Sequence, residues 1–261
     1  MKNNFFIEEI EKNIDKEIKL FSFDTIDSTN SEARRIVTSN NAPDRGLVIS
    51  NHQSAGRGRT GHSFYSPEDT GIYMSYFFKP ENDLSHAHRS TTMAAVAVRN
   101  VLSRYCEDEV YIKWVNDLYL NGRKICGILT EAVPLSVNHG YVIVGIGINL
   151  STDNFPDDIK EVAGSLTKGA SSSLPSRETI ISEIISNLSV MTADLQGNSY
   201  VSDYRKYSML ANCDITYQEK GVKKSATVIG IDDECRLMVR NADGTCEALD
   251  SGEVSLVRIN Q

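Results

Sequence analysis

The sequence has few of the features that define secreted, membrane-bound or zinc-binding proteins. Its five cysteines form no Cys-x-x-Cys pair, which argues against a disulfide framework and against a thiolate zinc site. The N-terminal segment mixes Glu and Lys with apolar residues, so it lacks the uninterrupted apolar run of a signal peptide or a membrane helix. We therefore expect a protein with reduced thiols, located in the cytoplasm, with no membrane partner.

Basic charge is also scarce. The net charge is -8 at pH 7 and the pI is about 5.2, which disfavours general binding to nucleic acid phosphates. The first 20 residues are too few for a helix-turn-helix module. No nucleic acid partner is expected. With 261 residues, of which 40% are hydrophobic, the chain can form one large domain and a small appendage.

One segment reverses this acidic balance. Residues 51–67 contain no Asp or Glu, and inside this segment glycines alternate with Arg57 and Arg59 in the stretch Gly56-Arg-Gly-Arg-Thr-Gly61. Glycines allow close approach of the backbone to a ligand, and arginines supply forked, permanently charged donors. The segment therefore favours an anion-binding loop, with an ordinary flexible surface loop as the alternative.

Small polar residues precede the first predicted helix. Thr29 and Glu32 have the spacing of a capping box, which predicts a helix that runs to about Ser39. Ser28, Thr29 and Asn30 either only cap this helix or also bind a polar ligand group next to its unpaired amides.

A second segment predicts a hairpin that carries a lysine. Asn121-Gly122 is typical of a type I′ turn, and the hairpin would hold Asp117 and Lys124 roughly in register. A strict period of two places Lys124 and Cys126 on one face and Gly127 on the other. A lysine that faces the interior needs a counter-charge, for which Asp117 is the nearest candidate. A solvated lysine is the alternative.

An apolar run from Tyr141 to Leu150 has Gly145 and Gly147 at period two, so one face of the predicted strand is bare backbone. Either a neighbouring element packs tightly there or a flat ligand lies on it. The pattern lacks the third glycine and the following helix of a dinucleotide-binding fingerprint.

The coarse secondary structure predicts an α+β protein. Helices are expected over about 85–105, 176–196 and 201–210, and strands over 20–24, 47–50 and 71–78. Beyond Ala211, short strands over 213–217, 224–231, 237–240 and 254–259, with a turn at 241–244, predict a small five-stranded SH3-like barrel.

Five motifs occur in a fixed order: Ser28-Thr-Asn30, Gln53-Ser-Ala-Gly-Arg-Gly-Arg-Thr-Gly61, Lys113-Trp-Val-Asn-Asp117, Gly122-Arg-Lys-Ile-Cys-Gly-Ile-Leu-Thr-Glu131 and Gly145-Ile-Gly-Ile-Asn149. Together they resemble the biotin protein ligases over about residues 20–261. The resemblance implies a class II synthetase-like biotin/lipoate ligase fold, with a lead-in at 1–19, a mixed-sheet catalytic domain packed with helices at 20–210 and the SH3-like barrel at 211–261.

The resemblance also implies an activity. Biotin and ATP would form biotinyl-5′-AMP, which would acylate a lysine of a biotin carboxyl carrier protein, a subunit of acetyl-CoA carboxylase, with Mg²⁺ accompanying ATP. Regulatory members of the family carry an N-terminal DNA-binding domain, so we expect a ligase without repressor activity. The sequence leaves open whether the chain forms a homodimer.

Matched residue by residue, the resemblance implies these roles. Biotin would contact Ser28, Thr29, Asn30, Gln53, Arg57, Gly58, Arg59, Lys124, Gly127 and Gly147. ATP would contact Arg57, Arg59, Lys113, Asn116, Lys124 and Asn149. Catalysis would rest on Lys124, Lys113, Arg59 and Asp117. No protein ligand for a metal is implied, and Mg²⁺ is expected among the ATP phosphates near Asn116.

The chain departs from the family pattern at three positions. His62 and Phe64 stand where many members have Arg and Trp, and Val115 replaces a common Pro, which bears on how the loop closes. Two other functions remain open: a lipoate or octanoate ligase of the same fold, and a non-catalytic biotin-binding regulatory protein. The Gly-Arg-Gly-Arg loop favours biotin, and the cations Arg59, Lys113 and Lys124 favour an enzyme.

Overall fold

The computed structural model describes residues 7–137, 139–167, 174–219, 221–252 and 254–259. Its helices are α1 (Ile7–Asn13), α2 (Thr29–Val37), α3 (Arg89–Leu102), α4 (Arg177–Ala193) and α5 (Val201–Lys206). Its strands are β1 (Lys19–Ile26), β2 (Arg45–Gln53), β3 (Gly71–Phe78), β4 (Tyr111–Lys113), β5 (Asp117–Leu120), β6 (Arg123–Ser136), β7 (His139–Asn149), β8 (Cys213–Glu219), β9 (Val222–Ile231), β10 (Leu237–Asn241), β11 (Cys246–Leu249) and β12 (Val254–Ile259).

A seven-stranded mixed sheet forms the larger part of the molecule. Its strand order is β1-β2-β3-β7-β6-β5-β4, and the pair β1–β2 is parallel while the remaining pairs are antiparallel. Helices α3 and α4 pack on one face, and α2 packs on the other, against β2, β3 and β7. The predicted mixed sheet packed with helices is thus confirmed.

Helix α3 supplies most of the apolar cover of the larger core. Met93, Ala94, Ala97 and Val101 are fully or almost fully buried, as the predicted apolar face requires. The helix is shorter than the predicted span of 85–105. At both ends the backbone bonds connect residues three apart, such as Ala87 N to Leu84 O, so these ends are turns rather than α-helix.

The opposite face of the sheet is covered only in part. Tyr141 and Ile143 of β7 pack with Ala33 and Val37 of α2 in a second, smaller apolar cluster. Further along the same face of β7 the large side chains give way to glycines, so the sheet there is bare backbone. The change from large residues to glycine opens the cavity described below.

The C-terminal strands form a separate antiparallel sheet in the order β11-β10-β9-β8-β12. The number of strands agrees with the prediction, although β11 was not among the predicted segments; it pairs with β10 across the predicted turn at 241–244. The indole Nε1 of Trp114 donates to the carbonyl oxygen of Cys235 at 2.9 Å, which joins the two sheets. The domain boundary near residue 210 stays a prediction.

Among the described residues, no helix is long and apolar enough to cross a membrane.

Candidate active site

A cavity of about 330 Å³ lies over the bare part of β7. Its lining contains the predicted residues Ser28, Thr29, Asn30, Gln53, Arg57, Gly58, Arg59, Lys113, Asn116, Asp117, Lys124, Gly127, Gly145 and Gly147. The five motifs that carry them are spread between residues 28 and 147 of the chain, and the fold brings them to one place. Asn149 is the exception: its amide donates to Gly164 O at 3.0 Å, and it is not among the residues that line the cavity.

One end of the cavity is neutral and hydrogen-bonded, and we call it the polar end: Ser28, Thr29, Asn30 and Gln53. Both the backbone N–H and the hydroxyl of Thr29 donate to Gln53 Oε1, at 2.9 and 3.2 Å. Ser75 Oγ lies 2.8 Å from Thr29 Oγ1 and 2.6 Å from Asn30 Oδ1. Since Thr29 and Asn30 are almost fully buried, this network fixes their rotamers.

The predicted capping box is wrong. Ser28, not Thr29, is the N-cap residue of α2, and its side chain makes no capping bond. Glu32 turns away and pairs with Arg35 at 2.6 Å. Thr29 and Asn30 are the first helical residues, and their side chains serve the polar end instead.

The glycine-arginine segment forms a short hairpin-like loop, which we call the lid: residues 56–64. Gly58 N donates to His62 O at 2.7 Å, and Phe64 N donates to Gly56 O at 2.9 Å. Gly61 has a φ of 83°, which favours glycine, whereas Gly56 is required because a Cβ there would lie 2.3 Å from Phe64 O.

The other end of the cavity carries the charges, and we call it the cationic end: Arg59, Lys113 and Lys124. Lys124 Nζ lies 2.7 Å from Asp117 Oδ1, and their side chains are 29% and 19% exposed, so solvent screens the pair only in part. Arg59 Nη1 donates to Asn116 Oδ1 at 3.1 Å. Lys113 Nζ lies over the Tyr119 ring, 5.6 Å from its centre.

Tyr119 supports this end without adding charge. Burial, together with the charge of Asp117, raises the pKa of the Tyr119 phenol to about 12. The phenol therefore stays neutral at physiological pH, and the positive charge of Lys113 is not offset by a phenolate.

The predicted strand faces around Lys124 are wrong because β6 contains a bulge. Gly127 pairs with Asp117 and Lys124 pairs with Tyr119, so one extra residue is inserted between these two pairs. Asp117 and Tyr119 are two apart and share a face, so Gly127 and Lys124 share it too. Cys126 is instead fully buried in the core. Asp117 and Lys124 are not in register, although their charged groups do meet.

The glycines of β7 permit two close approaches. A Cβ at Gly145 would lie 2.0 Å from Asn30 Oδ1, and one at Gly147 would lie 2.5 Å from the Phe64 ring. The alternative of a tightly packed neighbour thus describes both glycines, and the neighbours are a polar-end residue and a lid residue.

Several residues in or next to the cavity were not predicted as site residues. Glu131 lies just outside the cavity and accepts hydrogen bonds from Asn30, Arg34 and Arg57. Gly252, Val254 and Ser255 bring the C-terminal sheet to the cavity wall. Glu131 had a signal, since it is the only carboxylate of β6 and ends one of the five motifs, whereas the C-terminal residues belong to no motif.

The two ends differ in the chemistry that they can recognise. Along β6, Asn30 donates to Leu129 O, while Lys124 lies against Gly127, two residues away. Two strand residues span about 6.6 Å. The cavity therefore fits an elongated ligand with a neutral hydrogen-bonding group at one end and an anion at the other.

Comparison with known proteins shows which proteins this chain is similar to. The model of the Biotin/lipoate A/B protein ligase family matches residues 22–149, and that of the Biotin protein ligase C terminal domain matches residues 212–257. The Bifunctional ligase/repressor BirA of Bacillus spizizenii is 31% identical over 226 residues, which cover 85% of this chain and 69% of the relative. The chain belongs to the biotin protein ligase family.

Other members of the family agree in length and fold. The biotin--[acetyl-CoA-carboxylase] ligase of Mycobacterium tuberculosis is 26% identical, and the match covers 88% of this chain and 86% of that protein. The biotin protein ligase of Aquifex aeolicus, solved in complex with biotin and ATP, superposes with a TM-score of 0.73 at 21% identity and covers 92% of this chain and 99% of its own. At that identity the superposition shows the fold, which is the biotin protein ligase fold with a small C-terminal β domain.

Proposed function

We propose that this chain catalyses the ATP-dependent ligation of biotin to a lysine of a biotin carboxyl carrier protein, through biotinyl-5′-AMP. Family membership supports this function, as does the relative from M. tuberculosis, which is a biotin--[acetyl-CoA-carboxylase] ligase. A structural neighbour from Leishmania major was solved with biotinyl-5-AMP, the intermediate that the proposal requires.

The observation that carries the proposal is the joining of the two ends in one cavity. Retaining a neutral head group requires hydrogen bonds such as those of the polar end. It does not require three cations beside them. Activation of a carboxylate by ATP does require cations, because negative charge concentrates on the α-phosphate as the new bond forms.

In the first step, a carboxylate oxygen of biotin attacks the α-phosphorus of ATP, and pyrophosphate leaves. Lys124 and Arg59 are the groups that we assign to the reacting carboxylate and phosphate. Asp117, at 2.7 Å, holds the Lys124 ammonium in place before the substrates arrive. Such fixed charges need no reorganisation when the transition state forms.

In the second step, the amine of the carrier lysine attacks the acyl carbon of the adenylate, and AMP leaves. The lid, residues 56–64, carries Arg59 and covers the cavity. It thereby keeps water away from the mixed anhydride. We assign to Asp117 the orientation of Lys124 or of the incoming lysine.

Mg²⁺ would enter with ATP. Among the described residues, no group of three His, Cys, Asp or Glu side chains is placed to hold a metal ion, and Asn116 Oδ1 already accepts from Arg59. Magnesium binds readily through phosphate oxygens and water with one or two protein ligands. The residues therefore fit a metal that the ATP phosphates carry, near Asn116, and not a protein cage.

Biotin-dependent exchange of labelled pyrophosphate into ATP tests the first step alone. We expect exchange with biotin and none with lipoate or octanoate in its place. Absence of exchange with all three acids would exclude the enzymatic proposal, and exchange with lipoate would reassign the substrate. Transfer of labelled biotin to a purified carrier protein then tests the second step.

A further inference from the structure

One charged group next to the cavity has no part in the chemistry proposed above. Glu131, on β6, has a side chain that is only 15% exposed, and it accepts hydrogen bonds from three residues on two other elements. Arg57 of the lid donates through both terminal nitrogens, each at 3.1 Å. Asn30 of α2 donates at 2.9 Å, and Arg34, one turn later, donates at 3.1 Å.

The two hydrogen bonds from Arg57 to Glu131 bear on whether Arg57 can also bind a phosphate. Parallel hydrogen bonds from a guanidinium to a carboxylate are stronger and more directional than single neutral bonds. Arg57 donates both of its terminal nitrogens to Glu131, whereas Arg59 donates to the neutral amide of Asn116. A phosphate that recruited Arg57 would have to break two charged bonds and leave a mostly buried carboxylate with Asn30 and one nitrogen of Arg34 as its donors.

The charge state of Glu131 is consistent with this arrangement. Burial opposes ionisation of the carboxyl group, but hydrogen bonds from Asn30 and the charge of Arg57 outweigh it, so the pKa of Glu131 lies below its ordinary value. The carboxylate is therefore ionised at neutral pH and available as an acceptor for all three donors.

We propose that Glu131 is a positioning residue that clamps the start of the lid to the polar end, and that the Arg57 side chain belongs to this clamp and does not bind ATP phosphates. The inference rests on the proposed function and revises one of its expected contacts. Through Asn30 the clamp fixes the group that faces Gly145, and through Arg57 it fixes the lid above the cavity. Its loss should weaken the binding of the biotin head and leave ATP binding nearly unchanged.

A double-mutant cycle over Arg57→Gln and Glu131→Gln tests the clamp. Biotin affinity is measured by calorimetry without ATP, and the KM for ATP is measured by pyrophosphate exchange. Each single variant should weaken biotin binding about tenfold, and the double variant should be no worse than either one, because both remove the same contact. The KM for ATP should change by less than about twofold in all of them, since no phosphate contact is lost.

Arg34→Gln is the matched control. Arg34 donates to the same carboxylate through one terminal nitrogen and lies on α2, so it does not join Glu131 to the lid, and its loss should change biotin affinity by less than about twofold. Glu131→Asp keeps the charge on a shorter side chain and should restore part of the lost affinity. It also serves as the second variant if Glu131→Gln folds poorly.

Hydrogen exchange of the ligand-free protein gives a readout that needs no activity. The amides of Gly58 and Phe64, which close the lid, should exchange faster in Glu131→Gln than in the parent chain. A tenfold rise in the KM for ATP in Arg57→Gln alone, additive losses in the double variant, or unchanged lid exchange would each overturn the clamp. Faster lid exchange in Glu131→Gln than in the parent chain, together with no pyrophosphate exchange by the parent chain, would support the clamp and refute the enzyme.

Discussion

The two ends of the cavity are built in opposite ways. At the polar end Thr29 and Asn30 are buried, and hydrogen bonds join Thr29 to Gln53 and, through Ser75, to Asn30. The cationic end is half-exposed, and it is held by single contacts such as Lys124 to Asp117 and Arg59 to Asn116. One end is a rigid network, and the other is a set of charges on a hairpin and a lid.

This difference matches the work that each end would do. A head group that stays unchanged through the reaction is best met by preorganised donors and acceptors. A reacting centre gains and then loses negative charge, and a pyrophosphate has to leave it, so Lys124 is fixed by Asp117 while the lid that carries Arg59 has to open. Substitutions should therefore separate binding from chemistry.

The largest effect is expected for Lys124→Ala at the cationic end. Loss of one charge that stabilises the transition state costs about 3 kcal/mol, which is roughly a hundredfold in the rate of adenylate formation. Biotin affinity should change by less than about fivefold, because the polar end is intact. Single-turnover adenylation and calorimetry measure the two effects. Lys79→Ala, a surface lysine paired with Asp44, is the control. Near-normal adenylation would contradict the assignment of the chemistry to the cationic end.

Gly145→Ala should disturb the polar end instead of the cationic end. Its Cβ would lie 2.0 Å from Asn30 Oδ1, which Ser75 holds at 2.6 Å, so the network has to shift. Overpacking of this kind costs about 2 kcal/mol, or about thirtyfold in biotin affinity, measured by calorimetry.

Gly147→Ala is the matched control on the same strand face. Its clash is with the Phe64 ring of the lid, so Phe64→Ala should relieve most of the loss in biotin affinity that it causes. Phe64→Ala should not relieve the loss in biotin affinity that Gly145→Ala causes. Equal relief at both glycines would show that the polar end is as movable as the lid.

A smaller effect is expected for Arg59→Gly in the lid. With less contact over the acyl phosphate, the adenylate should leave the cavity several times faster and acylate lysines of bystander proteins. Labelled biotin and a mixture of unrelated proteins measure this escape. Labelling confined to the carrier protein would show that the lid retains the adenylate without Arg59.

The smallest effect concerns pH and Glu131. A carboxyl group whose pKa is lowered by folding adds stability above its ordinary value of 4.5, and this contribution is lost as the pH falls through the folded-state pKa. The difference in unfolding free energy between the parent chain and Glu131→Gln should therefore be about 1 kcal/mol larger at pH 7 than near pH 3. Denaturant unfolding at both values measures it, and a difference independent of pH would contradict the lowered pKa.

Local sequence patterns predicted the elements better than their contacts. The strand Gly71–Phe78 and the Asn121-Gly122 turn agree with the structure, because both depend on residues close in the chain. The faces of β6 could not be predicted, since a bulge has no reliable signal and shifts every later side chain to the other face.

The site was predicted chiefly from the resemblance to a family and only in part from physical pattern. The charge reversal around Arg57 and the bare face at Gly145 and Gly147 are visible in the sequence alone. The pairing of Arg57 with Glu131 joins residues 74 positions apart, so no local pattern predicts it. The same holds for the contribution of Ser255 from the C-terminal sheet.

A crystal structure of this chain with biotin and a non-hydrolysable ATP analogue tests the division of the cavity most directly. We expect the biotin ring system among Ser28, Thr29, Asn30 and Gln53, its carboxylate next to Lys124 Nζ and the α-phosphate, and Arg57 still paired with Glu131. A reversed ligand, with its carboxylate at Asn30 and its ring system between Arg59 and Lys124, would contradict the account.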